Sequence, residues 1–189
     1  MSRLKSREKQ RARKKSQTFE KRRFERYHKS LLAMIRVFDD PMLQEVCTPI
    51  ENKEELVILK TLGKVLSATN NGIGLAAPQV GITKKAIAIR PDIKKREIKF
   101  LINPEIVEVI GKEVEVREGC LSYPGAWCNV KRNNAVIVEF LNEDMRKIRD
   151  SFVDMEAVTV QHEIDHISDP PKCYVGDYWR ENIKGKQDG

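Results

Sequence analysis

The segment of this 189-residue chain with the clearest chemical potential is His162-Glu163-Ile164-Asp165-His166. Two histidines four residues apart project from one side of a helix, so both imidazoles can hold a single metal ion. Because a metal ion draws the pKa of its water towards neutrality, a carboxylate at Glu163 can take up and return that water's proton. The pattern fixes only three positions, and an ordinary surface helix with two histidines among acids satisfies it too. Composition weakens that reading. The chain has three histidines, and the one outside this segment, His28, sits in a basic stretch where it reads as solvated.

A catalytic metal site needs a third protein ligand and an open position. Among Cys47, Cys120, Cys128 and Cys173, the candidate is Cys120, in Glu118-Gly119-Cys120-Leu121-Ser122 at the expected end of a strand. A lone cysteine is more often a small buried hydrophobe. The four cysteines lack the dense spacing of a disulfide framework, which fits reduced thiols in a cytosol-like compartment. A further segment, Gly72-Ile73-Gly74-Leu75-Ala76-Ala77-Pro78-Gln79, holds a Gly-x-Gly that suits a tight turn or a dinucleotide loop equally. Pro78 and Gly81 leave no helix directly behind it, so a phosphate loop fits poorly. Its glycines let backbone approach a substrate closely, and Gln79 offers an amide donor for developing negative charge.

The elements that must position these residues follow from apolar periodicity. Leu56, Leu59, Leu62, Val65 and Leu66 predict a helix over 54–68, stopped by Asn70-Asn71-Gly72. Short strands are expected over 84–90, 99–102, 106–110, 114–117 and 135–141, and an extended piece over 35–38 precedes a turn at Asp39-Asp40-Pro41. A second helix, 155–167, ends at Asp169-Pro170-Pro171. The expected fold is α+β, with short antiparallel strands packed around a central His-Glu-x-x-His helix in a domain of residues 31–189.

Residues 1–30 read as a disordered or transiently helical basic extension. Residues 1–29 hold thirteen Lys/Arg against three Glu, about +10, which leaves about −3 for the rest. A solvated tail, phosphate contacts with nucleic acid and an organellar presequence all fit that composition. No apolar run approaches the roughly 20 residues of a membrane span. No apolar core of a secretory signal is present either, so a cytoplasmic protein without a membrane partner is expected.

Taken together, the segments ending in Gln79, around Cys120 and over Gln161 to His166 resemble, in order and spacing, the three signature motifs of peptide deformylases, across about residues 33–167. The resemblance implies removal of the formyl group from the N-terminal formylmethionine of new polypeptides, with release of formate. It implies Cys120, His162 and His166 as metal ligands, and Glu163 as the carrier of the water's proton to the departing amine. It also implies that the Gln79 amide and the Leu121 backbone N–H polarise the formyl oxygen alongside the metal. The implied ion is Fe2+, one per chain, with Zn2+, Ni2+ or Co2+ as other occupants. Glu118 and Arg132 align with a supporting ion pair, and Asp165 with a residue that orients a ligand or caps its helix. The methionine side chain would enter a pocket lined by Ile73, Val158 and Thr159, with Gly74 close to the peptide. A monomer acting on N-formylmethionyl nascent peptides is expected, with ribosome or RNA contact through residues 1–29.

The chain departs from the family pattern in four places. Asp154 stands where Gly is common, Trp127 where Arg or another long side chain often contacts substrate backbone, and Ile167 to Pro171 replace a Leu-x-Gly-x-Leu-like continuation. Only 23 residues follow His166, too few for the long C-terminal helix of many bacterial members and similar to deformylases reported from bacteriophages. A metallopeptidase of another His-Glu-x-x-His family leaves two motifs unexplained. The alternative is a catalytically inactive deformylase-like module that binds ribosomes or RNA.

Overall fold

The computed structural model describes residues 20–38, 40–92, 95 and 97–172. Its element order is a helix α1 over residues 20–32, α2 Val57–Ala68, β1 Gly74–Ala76, β2 Ala86–Ile89, β3 Lys99–Val109, β4 Glu113–Cys120, β5 Tyr123–Asn133, β6 Ala135–Leu141, β7 Lys147–Val153 and α3 Asp154–Ile167. Short 3-10 turns at Pro41–Gln44, Glu54–Leu56 and Ala77–Val80 link the early elements. Five strands form one antiparallel sheet in the order β1-β2-β3-β6-β7, and β4 and β5 pair as a separate hairpin.

Strand β2 shows why the molecule has this shape. Its sequence Ala-Ile-Ala-Ile is buried throughout, and alternation sends the residues to opposite faces. Ile87 and Ile89 join Leu101, Val136, Val138, Phe140 and Phe152 under Ala157, Val160 and Ile167 of α3. Ala86 and Ala88 instead meet the apolar stripe of α2, formed by Leu59, Leu62, Val65 and Leu66. The sheet therefore separates two cores, one beneath each helix. Helix α3 is buried along most of its length, including Gln161, His162, Glu163 and His166.

The helix expected over 54–68 is present as a 3-10 turn continuing into α2. The two strands expected over 99–102 and 106–110 are one strand, β3, carrying register irregularities between Ile102 and Glu105 and between Ile106 and Glu108. Residues 35–38 form no strand, and Asp40 caps the turn at Pro41 through its side chain, which accepts from the Met42 N–H. Strands β1, β5 and β7 were not expected. Alternate positions carry Asn129, Lys131 and Asn133 in β5 and Lys147, Arg149 and Ser151 in β7, so apolar content alone does not mark them.

Part of the basic extension lies within the described residues and is helical, one of the two states expected for it. Residues 20–30 belong to α1, because Phe24, Tyr27 and Leu31 recur at helical spacing among the cations and face a groove of about 780 Å³ shared with Leu56, Leu59 and Gly63. Residues 1–19 of that extension lie outside the described residues. Among the described residues, no helix is long and apolar enough to cross a membrane.

Helix α3 begins at Asp154, whose φ of 50° lies in the left-handed region that Gly occupies most easily. This is the position where the family pattern has Gly. Asp154→Gly should keep stability within about 1 kcal/mol of the parent, since relief of the backbone offsets loss of a negative charge at the helix N-terminus. Asp154→Val should lower it by about 1–2 kcal/mol. Urea unfolding checks both, and a valine variant as stable as the glycine variant would show that the left-handed turn costs nothing.

Candidate metal centre

The site forms where α3 passes the end of the β4–β5 hairpin. Helical spacing puts His162 and His166 on one face of α3, their rings 5.2 Å apart. Cys120 ends β4, where the pairing shifts register after Gly119 and turns the thiol towards the helix. Cys120 Sγ lies 3.3 Å from His166 Nε2, and the ligand atoms of Cys120, His162 and His166 all lie within 4.8 Å of one another.

One thiolate and two imidazoles gathered this closely fit a divalent transition metal, leaving further coordination positions open. The surroundings orient the ligands. His162 Nδ1 donates to Glu118 Oε2 at 2.9 Å, which leaves the lone pair on Nε2. Arg132 grips Glu118 with two bonds, at 2.8 and 3.1 Å, and reaches Asp165 Oδ2 at 2.5 Å. Burial opposes ionisation of Glu118, yet hydrogen bonds from His162 and Arg132 outweigh it and hold its pKa down at about 2. Glu118 is therefore a carboxylate, and His162 must supply the proton between them.

Gln79 stands behind Cys120. Its Oε1 accepts from the Ala76 N–H at 2.8 Å, so the amide can only turn its NH2 towards Cys120 Sγ, at 3.4 Å, and Ser122 Oγ, at 3.1 Å. Glu163 is 4 % exposed, and its Oε2 has no hydrogen-bond partner among the described residues. Burial pushes its pKa up to about 7. Gly74 makes this placement possible: a Cβ there would lie 2.3 Å from Glu163 Oε1.

A cleft of about 430 Å³ opens onto these groups. Cys120, Leu121, His162 and Glu163 line its inner end, and Ile73, Gly74, Met155, Val158 and Thr159 form a largely apolar wall. Trp127, 51 % exposed, stands at the rim. Every expected substrate-contact residue thus borders one space, whereas Gln79 lies outside its lining. Among the described residues, none of 167–171 lines it either. The larger groove beside α1 shares no lining residue with this cleft.

Sequence reasoning missed Arg90. It follows β2, is 9 % exposed, and donates to the carbonyls of Leu66, Thr69 and Gly72, while its own N–H bonds the Ile73 carbonyl at 2.7 Å. Arg90 thus closes the C-terminus of α2 and fastens the loop that carries Ile73 and Gly74 into the cleft. The signal available was a cation directly after four residues too apolar to be anything but buried.

A buried carboxylate beside a thiolate–imidazole centre, open to a cleft with an apolar wall, is the equipment of a metal-dependent hydrolase. Comparison with known proteins specifies which kind. The polypeptide deformylase family model matches residues 32–169. The peptide deformylase of Pseudothermotoga lettingae is 38% identical over 139 residues, 72% of this chain and 78% of that protein; the one from Natranaerobius thermophilus is 40% identical over 136 residues, 70% and 85%. Among solved structures, a peptide deformylase from Synechococcus elongatus in complex with actinonin superposes with a TM-score of 0.66 at 31% identity, covering 70% of this chain and 74% of that one. A probable peptide deformylase from Synechococcus phage S-SSM7 gives 0.65 at 33%, covering 70% and 92%. The chain belongs to the polypeptide deformylase family. Its reaction is hydrolysis of the N-formyl group of formylmethionine at the start of new polypeptides, releasing formate.

Arg90→Met should lower stability by at least about 2 kcal/mol, because buried carbonyls at the end of α2 lose their donor. Urea unfolding measures this. A variant as stable as the parent would show that water replaces the guanidinium.

Proposed function

We propose that deformylation is divided among the residues of this site as follows. Cys120, His162 and His166 hold one metal ion, with Glu118 fixing the tautomer of His162 and Arg132 and Asp165 fixing Glu118. When bound, the ion supplies Lewis-acid polarisation of the formyl oxygen and makes water easier to deprotonate. Glu163 accepts the proton of the attacking water and delivers it to the amine nitrogen as the C–N bond breaks. The Gln79 NH2 and the Leu121 N–H donate to the formyl oxygen as it gains charge. Ile73, Val158 and Thr159 receive the methionine side chain, Gly74 lets the peptide backbone come close, and Trp127 borders the residues that follow.

The observation that carries this reading is the joint placement of three ligand atoms within 4.8 Å and a buried Glu163 with an unpaired oxygen on one cleft. We assign Fe2+ as the ion on the family resemblance; the donor set also accommodates Zn2+, Ni2+ or Co2+. Anaerobically purified, iron-loaded protein should release formate from formyl-Met-Ala-Ser, and absence of turnover at full occupancy would leave the inactive-module alternative. Glu163→Ala should keep its metal and lose turnover by about a hundredfold or more. Cys120→Ala should bind markedly less metal, and full retention of the ion in elemental analysis would overturn the ligand assignment.

The same reading places the protein in the cytosol, beside translating ribosomes. The charge of about +10 on residues 1–29 and the exposed Lys21, Arg22, Arg23, Arg26 and Lys29 of α1 suit phosphate contacts with ribosomal RNA. Co-sedimentation with ribosomes should weaken steeply as salt rises, and weaken further when Arg22, Arg23 and Arg26 are replaced by Glu. Equal sedimentation of parent and variant at low salt would exclude this surface.

A further inference from the structure

We infer that Arg117 sets a charge preference for the residues that follow formylmethionine, favouring substrates with an acidic side chain there over substrates with a basic one. The inference rests on the deformylase reading of the cleft and adds a selecting residue to it.

The rim of the cleft is a small platform on the β4–β5 hairpin. Gly119 of β4 pairs directly with Trp127 of β5. The indole lies close over Gly119, where an added Cβ would meet it at 3.3 to 3.4 Å. Alternation puts Arg117 on the same face of β4, two residues earlier, and its guanidinium carbon sits 5.6 Å from the centre of the indole. Stacking of this kind holds a long side chain at the rim instead of letting it range through solvent.

The charge arriving there is not cancelled. Among the described residues Arg117 makes no ion pair, and Glu115, the acid two positions earlier on the same face, forms none with it. Apart from Tyr123, whose phenol is neutral near pH 7, the other ionisable groups lining the cleft belong to its inner end: Glu118 is neutralised by Arg132, and Cys120, His162 and Glu163 surround the metal position. Arg117 is thus the only Lys or Arg among the described residues of the lining. A peptide whose N-terminus reaches the inner end runs outwards past Trp127, so the side chains that meet Arg117 are those after the first residue. An attraction at such a half-exposed site is modest and screened by salt.

The test compares kcat/KM on formyl-Met-Glu-Ser, formyl-Met-Ala-Glu and their lysine counterparts, with formyl-Met-Ala-Ser as reference, using the full metal-loaded chain. For the parent, at least one Glu peptide should exceed its Lys counterpart by about threefold to fivefold at low salt, and the ratio should flatten at high salt. Arg117→Lys should keep the order, Arg117→Gln should level it, and Arg117→Glu should invert it. The products Met-Ala-Glu and Met-Ala-Lys, used as inhibitors, should follow the same order. Equal Glu-to-Lys ratios in the parent and in Arg117→Glu would overturn the inference. If the parent turned over none of the peptides, the reading of the reaction itself would fall, and that result is distinct from an unchanged ratio.

Discussion

Helix α3 carries two imidazoles and a carboxylate through the interior, and that is tolerable only because partners are brought to it. A buried polar group without a partner costs more than the hydrogen bond it would have made. Glu118, reaching from β4 to His162, is the first of these partners, and its own burial is offset by the guanidinium of Arg132. Arg132 comes from β5 and touches Asp165, so one cation ties both hairpin strands to the helix. Remove this cross-brace and α3 loses the reason it can be both central and polar.

The hairpin is also why the third ligand arrives from a different direction. Because β4 and β5 pair with each other and not with the five-stranded sheet, Cys120 approaches α3 from outside the sheet's plane. The break in register after Gly119 then frees the end of β4 to turn. Two faces of the ion position are supplied by a helix and one by a strand end, and the cleft lies between the hairpin, the Ile73–Gly74 loop and α3. Among the described residues, Glu163 keeps an unpaired oxygen against this pattern of satisfaction.

Much of this was legible in the residues, for reasons that differ by element. Helix α2 and the core of α3 announce themselves through apolar spacing, and the Ala-Ile-Ala-Ile run of β2 through its β-branched content. The three motifs singled out Cys120, His162, His166, Gln79 and Glu163 because short local patterns mark them, and the fold gathers the ligand atoms of the first three within 4.8 Å of one another. Strand β5 stayed hidden: Pro124 and Gly125 stand near its start, and beyond Trp127 its outward positions Asn129 and Lys131 are polar. For residues 20–30 the sequence left disorder and a transient helix open, because cations outnumber Phe24, Tyr27 and Leu31, whose apolar partners on α2 appear only in the fold. The position of Arg90 after an apolar run hinted at burial, but its role was hidden for a related reason. Its partners are backbone carbonyls 18 to 24 residues away, and no side-chain pattern encodes them.

The alternating sizes along β2 carry a mechanical consequence. With alanines towards α2 and isoleucines towards α3, the strand acts as a shim of unequal thickness on its two sides. The isoleucine side sets how high α3 rides above the sheet, and with it the gap between the two histidines and a cysteine anchored elsewhere. The alanine side sets how closely α2 lies, in a core that also holds Leu75 and Leu121. Volume lost or gained beneath α2 therefore changes how firmly the fold is closed, while the same volume beneath α3 alters the bite of the metal site itself.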